Sequence, residues 1–215
     1  MYSLMVKFFK TESYLRQFQS GLLYSQTFEY FRKLESDDAR RCDPFEGLVQ
    51  QTKIPSGKIQ LRPSIPIGEP WKELSILNGI FSQFHKGNIF CLSRFLLNPP
   101  KDIQELYIDS KFDEFGDYYA IITNQVEYEE RIRKTAKKKK IKVSGRMIDY
   151  IDLSNFSDKR SAFMKDAVFG WQSEFRLHFE TDLNKALKFR VGDISDITMV
   201  GKLSEGRTFQ YKAPF

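Results

Sequence analysis

The segment that most constrains this chain is Trp171-Gln172-Ser173-Glu174-Phe175-Arg176-Leu177-His178-Phe179-Glu180. Trp171, Ser173, Phe175, Leu177 and Phe179 alternate with Gln172, Glu174, Arg176, His178 and Glu180. A period of two places the first set on one sheet face and the second on the other. The spacing therefore predicts a strand over 171–180 with an apolar side turned to a core. The opposite row collects an acid, a guanidinium, an amide and one of two histidines in the chain. Such a row is either a solvated ion-pair face or the floor of a site. His178 itself reads as a surface histidine or one satisfied by a partner.

Similar arguments divide the rest of the chain. Val6–Phe9 reads as a first strand. Thr11 reads as the N-cap of a short helix that buries Leu15 and Phe18 and stops at Gly21. Leu22–Ser25 reads as a strand, Thr27–Lys33 as a helix or turn, and Ser36–Pro44 as a loop. Residues 48–70 carry Pro55, Gly57, Pro63, Pro66, Gly68 and Pro70, which predicts an edge hairpin or long excursion. Trp71–Phe81 reads as a short helix. Asn88–Ser93 and Tyr118–Ile122 read as strands. Asn124 caps a predicted helix in which Tyr128, Ile132 and Ala136 recur every four residues. Met147–Leu153 and Leu187–Val191 complete the strands. Gly116-Asp117 reads as a turn.

Short strands interspersed irregularly with helices predict an α+β fold. The sheet is expected to be bent and split, mixed or antiparallel, with short flanking helices. Residues 1–215 are expected to form a single domain. The 20 Phe and 10 Tyr supply a large aromatic core. No Gly-rich strand-to-helix turn or P-loop supports a doubly wound nucleotide fold. Ser93 lies in no Gly-x-Ser-x-Gly elbow, so it reads as a strand end and not as a hydrolase nucleophile. Two cysteines, Cys42 and Cys91, and two histidines argue against a disulfide framework and against zinc. No metal is expected. The absence of an apolar run of about 18 residues and of a signal-peptide pattern predicts a cytoplasmic protein without a membrane partner.

The formal net charge of +6 is concentrated in Arg131–Lys142, which holds eight basic residues and no acid. Lys137, Lys138, Lys139 and Lys140 carry two readings. They are cations favourable to a helix C-terminus, or they contact nucleic-acid phosphate without base stacking, since no aromatic residue interleaves them. A second cluster, Glu35 through Gly47 with Arg40-Arg41-Cys42-Asp43-Pro44-Phe45-Glu46-Gly47 at its end, is either a solvated loop with local ion pairs or a site in which arginine grips phosphate and the carboxylates accept from sugar hydroxyls.

Taken in order, these segments resemble a family. Phe8-Phe9-Lys10, Gly21–Ser25, Tyr30-Phe31-Arg32, Arg41–Gly47, Phe90-Cys91-Leu92-Ser93, Phe115–Tyr118, Tyr150-Ile151-Asp152, Lys165, Trp171–Arg176 and Gly192–Ile197 form the series. It is similar to a group of bacterial and phage domains marked by Asp-Pro-x-Glu, a mid-chain Cys-x-Ser and a late Glu-x-Arg strand. The match to that group spans roughly residues 6–200, and the group in turn distantly resembles the ADP-ribosyltransferase superfamily. The resemblance implies NAD as the bound molecule, with Glu174 orienting its ribose and Arg176 and Gln172 ordering Glu174. It also implies Lys10 and Arg41 on phosphate, Asp43 and Glu46 at the pocket border, and Tyr30 or Phe31 stacked on a ring. This chain lacks the superfamily's His-Gly-Thr and Ser-Thr-Ser, and has Glu-x-Arg where Glu-x-Glu or Gln-x-Glu stands. Two functions follow as expectations: an NAD- or nucleotide-binding effector of an antiphage or phage counter-defence system, or a non-enzymatic module of such a system that binds nucleic acid or a partner protein.

Overall fold

The computed structural model describes residues 2–33, 43, 45–54, 57–61, 72–76, 79–97, 104–152 and 159–211. In chain order the elements are β1 (Tyr2–Phe9), α1 (Glu12–Gln19), β2 (Leu22–Thr27), α2 (Phe28–Arg32), β3 (Leu48–Ile54), β4 (Gly57–Leu61), β5 (Lys72–Ile76), β6 (Gly79–Phe84) and β7 (Asn88–Leu97). There follow β8 (Gln104–Tyr107), β9 (Tyr118–Ile122), α3 (Gln125–Lys139), β10 (Lys142–Met147), β11 (Asp149–Ile151), β12 (Met164–Asp166), β13 (Glu174–Glu180), β14 (Leu187–Arg190), β15 (Thr198–Lys202) and β16 (Thr208–Tyr211). The chain is mixed α and β, built mostly of antiparallel sheet with few helices. No helix among the described residues is long and apolar enough to cross a membrane.

The main sheet runs β10-β13-β7-β1-β9-β15, with β2 joined to the end of β7 and β14 joined to β2. Its centre is two-sided. Along β1, Met5 and Phe9 enter one apolar cluster, while Val6 and Phe8 enter another. Alternate residues of a strand face opposite ways, so both faces are covered there. The first cluster packs Phe9, Phe18, Phe90 and Tyr128 between sheet and helices, and the second packs Phe8 against Ile108, Phe112 and Leu203.

Sequence chemistry sets the helix ends. Thr11 and Asn124 accept hydrogen bonds from the backbone N–H groups of Tyr14 and Glu127, satisfying donors that lack an intrahelical partner. Leu15 and Phe18 of α1, and Tyr128, Ile132 and Ala136 of α3, are buried at helical spacing. After α1, Gly21 takes a left-handed φ of 85° and lies backbone to backbone against Gly192.

The sheet is split. Pairing between β1 and β7 covers Tyr2–Val6 against Leu97–Ser93 and stops. Beyond it, β1 continues to Phe9 along β9, while β7 continues to Asn88 between β13 and β2. The two halves diverge past Val6 and Ser93.

Four sequence expectations need correction. Residues 171–180 are not one strand: Ala167–Gln172 form a 3-10 turn capped by the Asp166 carboxylate, Ser173 is left-handed at φ 44°, and β13 starts at Glu174. The Ser173 hydroxyl donates to the Arg94 carbonyl, which holds that corner on β7. Residues 71, 77 and 78 lie outside the described residues, and the described remainder of the expected helix to Phe81 is instead strand, in β5 and β6. Their ladders to β4 and β3 are non-local, which a local helix reading cannot anticipate. The excursion beginning at 48 is thus longer than expected: β4–β5 nests between β3 and β6, and neither pair joins the main sheet. Finally, Met147 ends β10 and Asp149–Ile151 forms β11, paired in parallel with β12, so 147–153 is not one strand; Leu153 lies outside the described residues. Most of the expected loop at 36–44 also lies outside them.

The Gly21 junction gives a test of this packing. A Cβ at Gly21 would overlap the carbonyl of Gly192 and carry an unfavourable positive φ. Gly21→Ala should lower unfolding free energy by at least about 2 kcal/mol in denaturant titration. Gly206→Ala, where nothing lies within 4 Å of the added carbon, should change it little.

Candidate ligand-binding site

The polar row of β13 is buried, not solvated. Glu174 faces Ser93 across the ladder, Arg176 faces Cys91, and His178 faces Ile89. Arg176 has no exposed surface, and Glu174 is 4% exposed. Charge at that depth is tolerable only when matched, and two partners come from elsewhere. Glu46 arrives from the turn before β3 and is 2% exposed; Lys165 arrives on β12 and is 5% exposed.

These four side chains close a ring of alternating sign. Arg176 Nη1 lies 2.7 Å from Glu46 Oε1, and Arg176 Nε lies 2.7 Å from Glu174 Oε1. Lys165 Nζ lies 3.4 Å from Glu174 Oε2 and 3.5 Å from Glu46 Oε2. The quartet is formally neutral, with four attractive edges against two like-charge diagonals. Further bonds fix its corners: Arg176 Nη1 donates to the Ala162 carbonyl at 2.6 Å, and Lys165 Nζ donates to Gln172 Oε1 at 2.9 Å. The Glu174 N–H donates to the Tyr150 hydroxyl at 2.8 Å.

The surroundings set the protonation states. Burial alone would raise the Glu174 carboxyl, but Arg176 and Lys165 hold it well below the usual carboxylate range. Burial would likewise lower the Lys165 ammonium, but Glu174 and Glu46 hold it above its ordinary value. Both groups therefore stay charged across physiological pH. Burial, then the Glu174 carboxylate, pushes the Cys91 thiol up, so Cys91 is a protonated thiol and not a ready nucleophile. The Tyr150 hydroxyl is raised for the same two reasons. Asp43 is different. Burial and the neighbouring Glu46 raise its carboxyl to about 6, although its oxygen accepts from the Phe45 N–H.

The quartet forms the base of a cleft of about 690 Å³ that opens where β1 and β7 diverge. Glu46, Lys165, Gln172 and Glu174 line it; Arg176 braces them from behind. Lys7, from β1, reaches across to donate to the Cys91 carbonyl at 2.8 Å, with its ammonium over the Phe90 ring. The walls hold Lys10 and Lys188 together with Tyr14, Tyr24, Tyr30 and Phe31. Among the described residues, every acid that lines the cleft belongs to the quartet, and the walls they form are cationic and aromatic.

No family model matches this chain, and no curated protein or solved structure is significantly similar to it.

Of the residues singled out in the sequence, Lys10, Tyr30, Phe31, Glu46, Gln172 and Glu174 converge on this one cleft. Arg176 touches Glu174 and Glu46 but does not line it. Asp43 sits buried behind Glu46 and does not line it either. Arg41 lies outside the described residues. Lys137–Lys140 are exposed and not part of the cleft. Gln172 reaches the base from the 3-10 turn, not from the strand that the alternation suggested. His178 is buried, and its Nε2 bonds the Lys86 carbonyl. Sequence reasoning missed Lys7, Lys165 and Lys188 as site residues. One signal was present for Lys7, a lysine set between Met5 and Phe9 on one row of β1. No group of three His, Cys, Asp or Glu side chains among the described residues could hold a metal ion.

Asp43 provides a pH test with a defined sign. Its carboxyl is harder to ionise folded than unfolded, so its contribution favours the folded state at low pH. That contribution is lost as pH rises from the unfolded value near 4 through about 6. Asp43→Asn removes the penalty. The mutant should melt progressively higher than the parent between pH 4 and 6.5, with the gap level above that. A gap that is constant with pH would show that Asp43 titrates normally.

Proposed function

We propose that this chain is an ADP-ribosyltransferase-like effector that binds NAD or a related nucleotide, of the kind used in bacterial antiphage or phage counter-defence systems. The observation that carries the reading is the cleft at the split in the sheet. It joins lysine and aromatic walls to a buried carboxylate at its base that Arg176 and Lys165 hold ionised at physiological pH. Phosphate is matched by Lys10 and Lys188 as charge-assisted donors. A planar base is matched by Tyr30 and Phe31, which meet edge to face with ring centroids 5.4 Å apart. Glu174 supplies negative charge for a ribose on which positive charge develops as the glycosidic bond breaks. Its fixed position, between Arg176 and Lys165, means that no reorganisation is needed when that charge appears. Gln172, which accepts from the Lys165 ammonium, lies beside the carboxylate at the base.

One feature favours a second reading, in which the cleft binds a nucleotide without turning it over. Both Glu174 oxygens are engaged, Oε1 by Arg176 and Oε2 by Lys165, which dilutes the field that a cationic transition state would feel. Nicotinamide release from NAD separates the two readings, and binding is common to both.

Rim residues test binding cleanly because they are exposed and outside the ion-pair ring. Lys10→Ala and Lys188→Ala should each weaken NAD or ADP-ribose binding roughly fivefold to tenfold by calorimetry, about 1–1.4 kcal/mol, with melting temperature unchanged. Failure of NAD, ADP-ribose and ATP to bind the parent at millimolar concentration would refute the proposal.

A further inference from the structure

The basic segment at the end of α3 does something that helix chemistry does not require. Around it, cations are matched. Arg131 pairs with Glu127 and Asp196, Arg133 with Glu129, Lys142 with Glu180 and Arg146 with Asp149. Between them stand Lys134, Lys137, Lys138, Lys139 and Lys140, all exposed and none in an ion pair among the described residues. Arg133 and Lys137, and Lys134 and Lys138, are i,i+4 like-charge pairs, which weaken a helix. A helix C-terminus is complemented by a cation or two in its last turn. Five unmatched lysines exceed that need and carry a cost in self-repulsion. Ala136 and Ile132 fix their presentation by burying the opposite side of α3 in the core. Lys140, left-handed at φ 54°, turns the chain into β10, so the last cations project from a rigid corner.

We propose that this corner is a docking surface for the sugar–phosphate backbone of double-stranded nucleic acid, read without regard to sequence. Lys134 to Lys140 spans about 9 Å along the helix. A duplex carries one charge per roughly 1.7 Å of axis, so the corner can neutralise about two to four phosphates. No aromatic residue lies between Arg133 and Lys142, which removes the stacking platform that a single strand uses. The surface is separate from the cleft and does not depend on the nucleotide reading.

The test measures binding of a fluorescent random-sequence duplex by anisotropy between 50 and 200 mM salt. The logarithmic salt slope of the parent should be about −2 to −4. The variant Lys137→Gln, Lys138→Gln, Lys139→Gln, Lys140→Asn keeps a residue tolerant of the left-handed corner at 140. It should lose at least tenfold in affinity at 100 mM salt and flatten the slope, while melting at or above the parent temperature because like-charge repulsion is relieved. A control with the same charge change at exposed sites elsewhere, Lys86, Lys111, Lys159 and Lys185 each to Gln, should lose less than twofold. Equal losses in the two variants would reduce the effect to net charge and overturn the proposal. So would a parent that binds phosphatidylserine vesicles but no duplex, or a corner variant that melts lower, which would make the lysines a structural cap.

Discussion

The architecture turns on one buried ring of four charges: Glu46, Arg176, Glu174 and Lys165. Desolvating a single ion costs several kcal/mol, and only close, hydrogen-bonded partners recover it. Because the partners come from three places in the chain, the ring ties them together. Glu46 belongs to the turn before β3, Lys165 to β12, and Glu174 and Arg176 to β13. Leaving out any one strands an uncompensated charge. The ring therefore contributes little net stability over an apolar core of the same volume, yet strongly penalises arrangements in which these segments are apart. Its Arg176 corner, wholly buried, also spends a hydrogen bond on the Ala162 carbonyl, which fixes the segment leading to β12.

The cleft follows from the same geometry. β7 is held on one side by six register pairs with β13, including those that present Glu174 and Arg176. β1 is held by β9 through Phe9. Past Val6 and Ser93 each strand keeps its outer neighbour but not the other, and the sheet opens there. Lys7 bridges the gap to the Cys91 carbonyl, supplying a backbone acceptor with the donor that the missing ladder would have given. The opening thus carries polar groups that are satisfied from the side, and the charged ring lies at its base.

Much of this was legible in the sequence wherever the signal was local. The caps at Thr11 and Asn124, the buried spacing Leu15–Phe18 and Tyr128–Ile132–Ala136, and the alternation from Glu174 onward each rest on neighbours a few residues apart. The strands β5 and β6 were not legible, because their ladders to β4 and β3 join distant residues and nothing local forces them. The 3-10 turn before β13 was hidden for another reason: Trp171-Gln172-Ser173 continues the alternation perfectly by type, and only the left-handed Ser173 breaks it. Within the site, Glu174 and Arg176 stood out by their shared row, and Glu46 by its loop. Lys165 did not, because a lone lysine gives no sequence sign of whether it will be buried. The mistaken alternative of a solvated polar row came from the same gap: periodicity separates two faces but does not say what covers each.

Coupling within the charge ring is the claim that can be measured most directly. Denaturant unfolding of Glu174→Gln, Lys165→Met and the double mutant forms a thermodynamic cycle. Each single change leaves a buried charge unmatched, for which the expected loss is about 3–5 kcal/mol. The double mutant leaves the neutral Glu46–Arg176 pair intact, so it should be more stable than the sum of the singles predicts, by at least about 2 kcal/mol. Additivity within about 0.5 kcal/mol, the behaviour of independent sites, would contradict the ring and the account built on it.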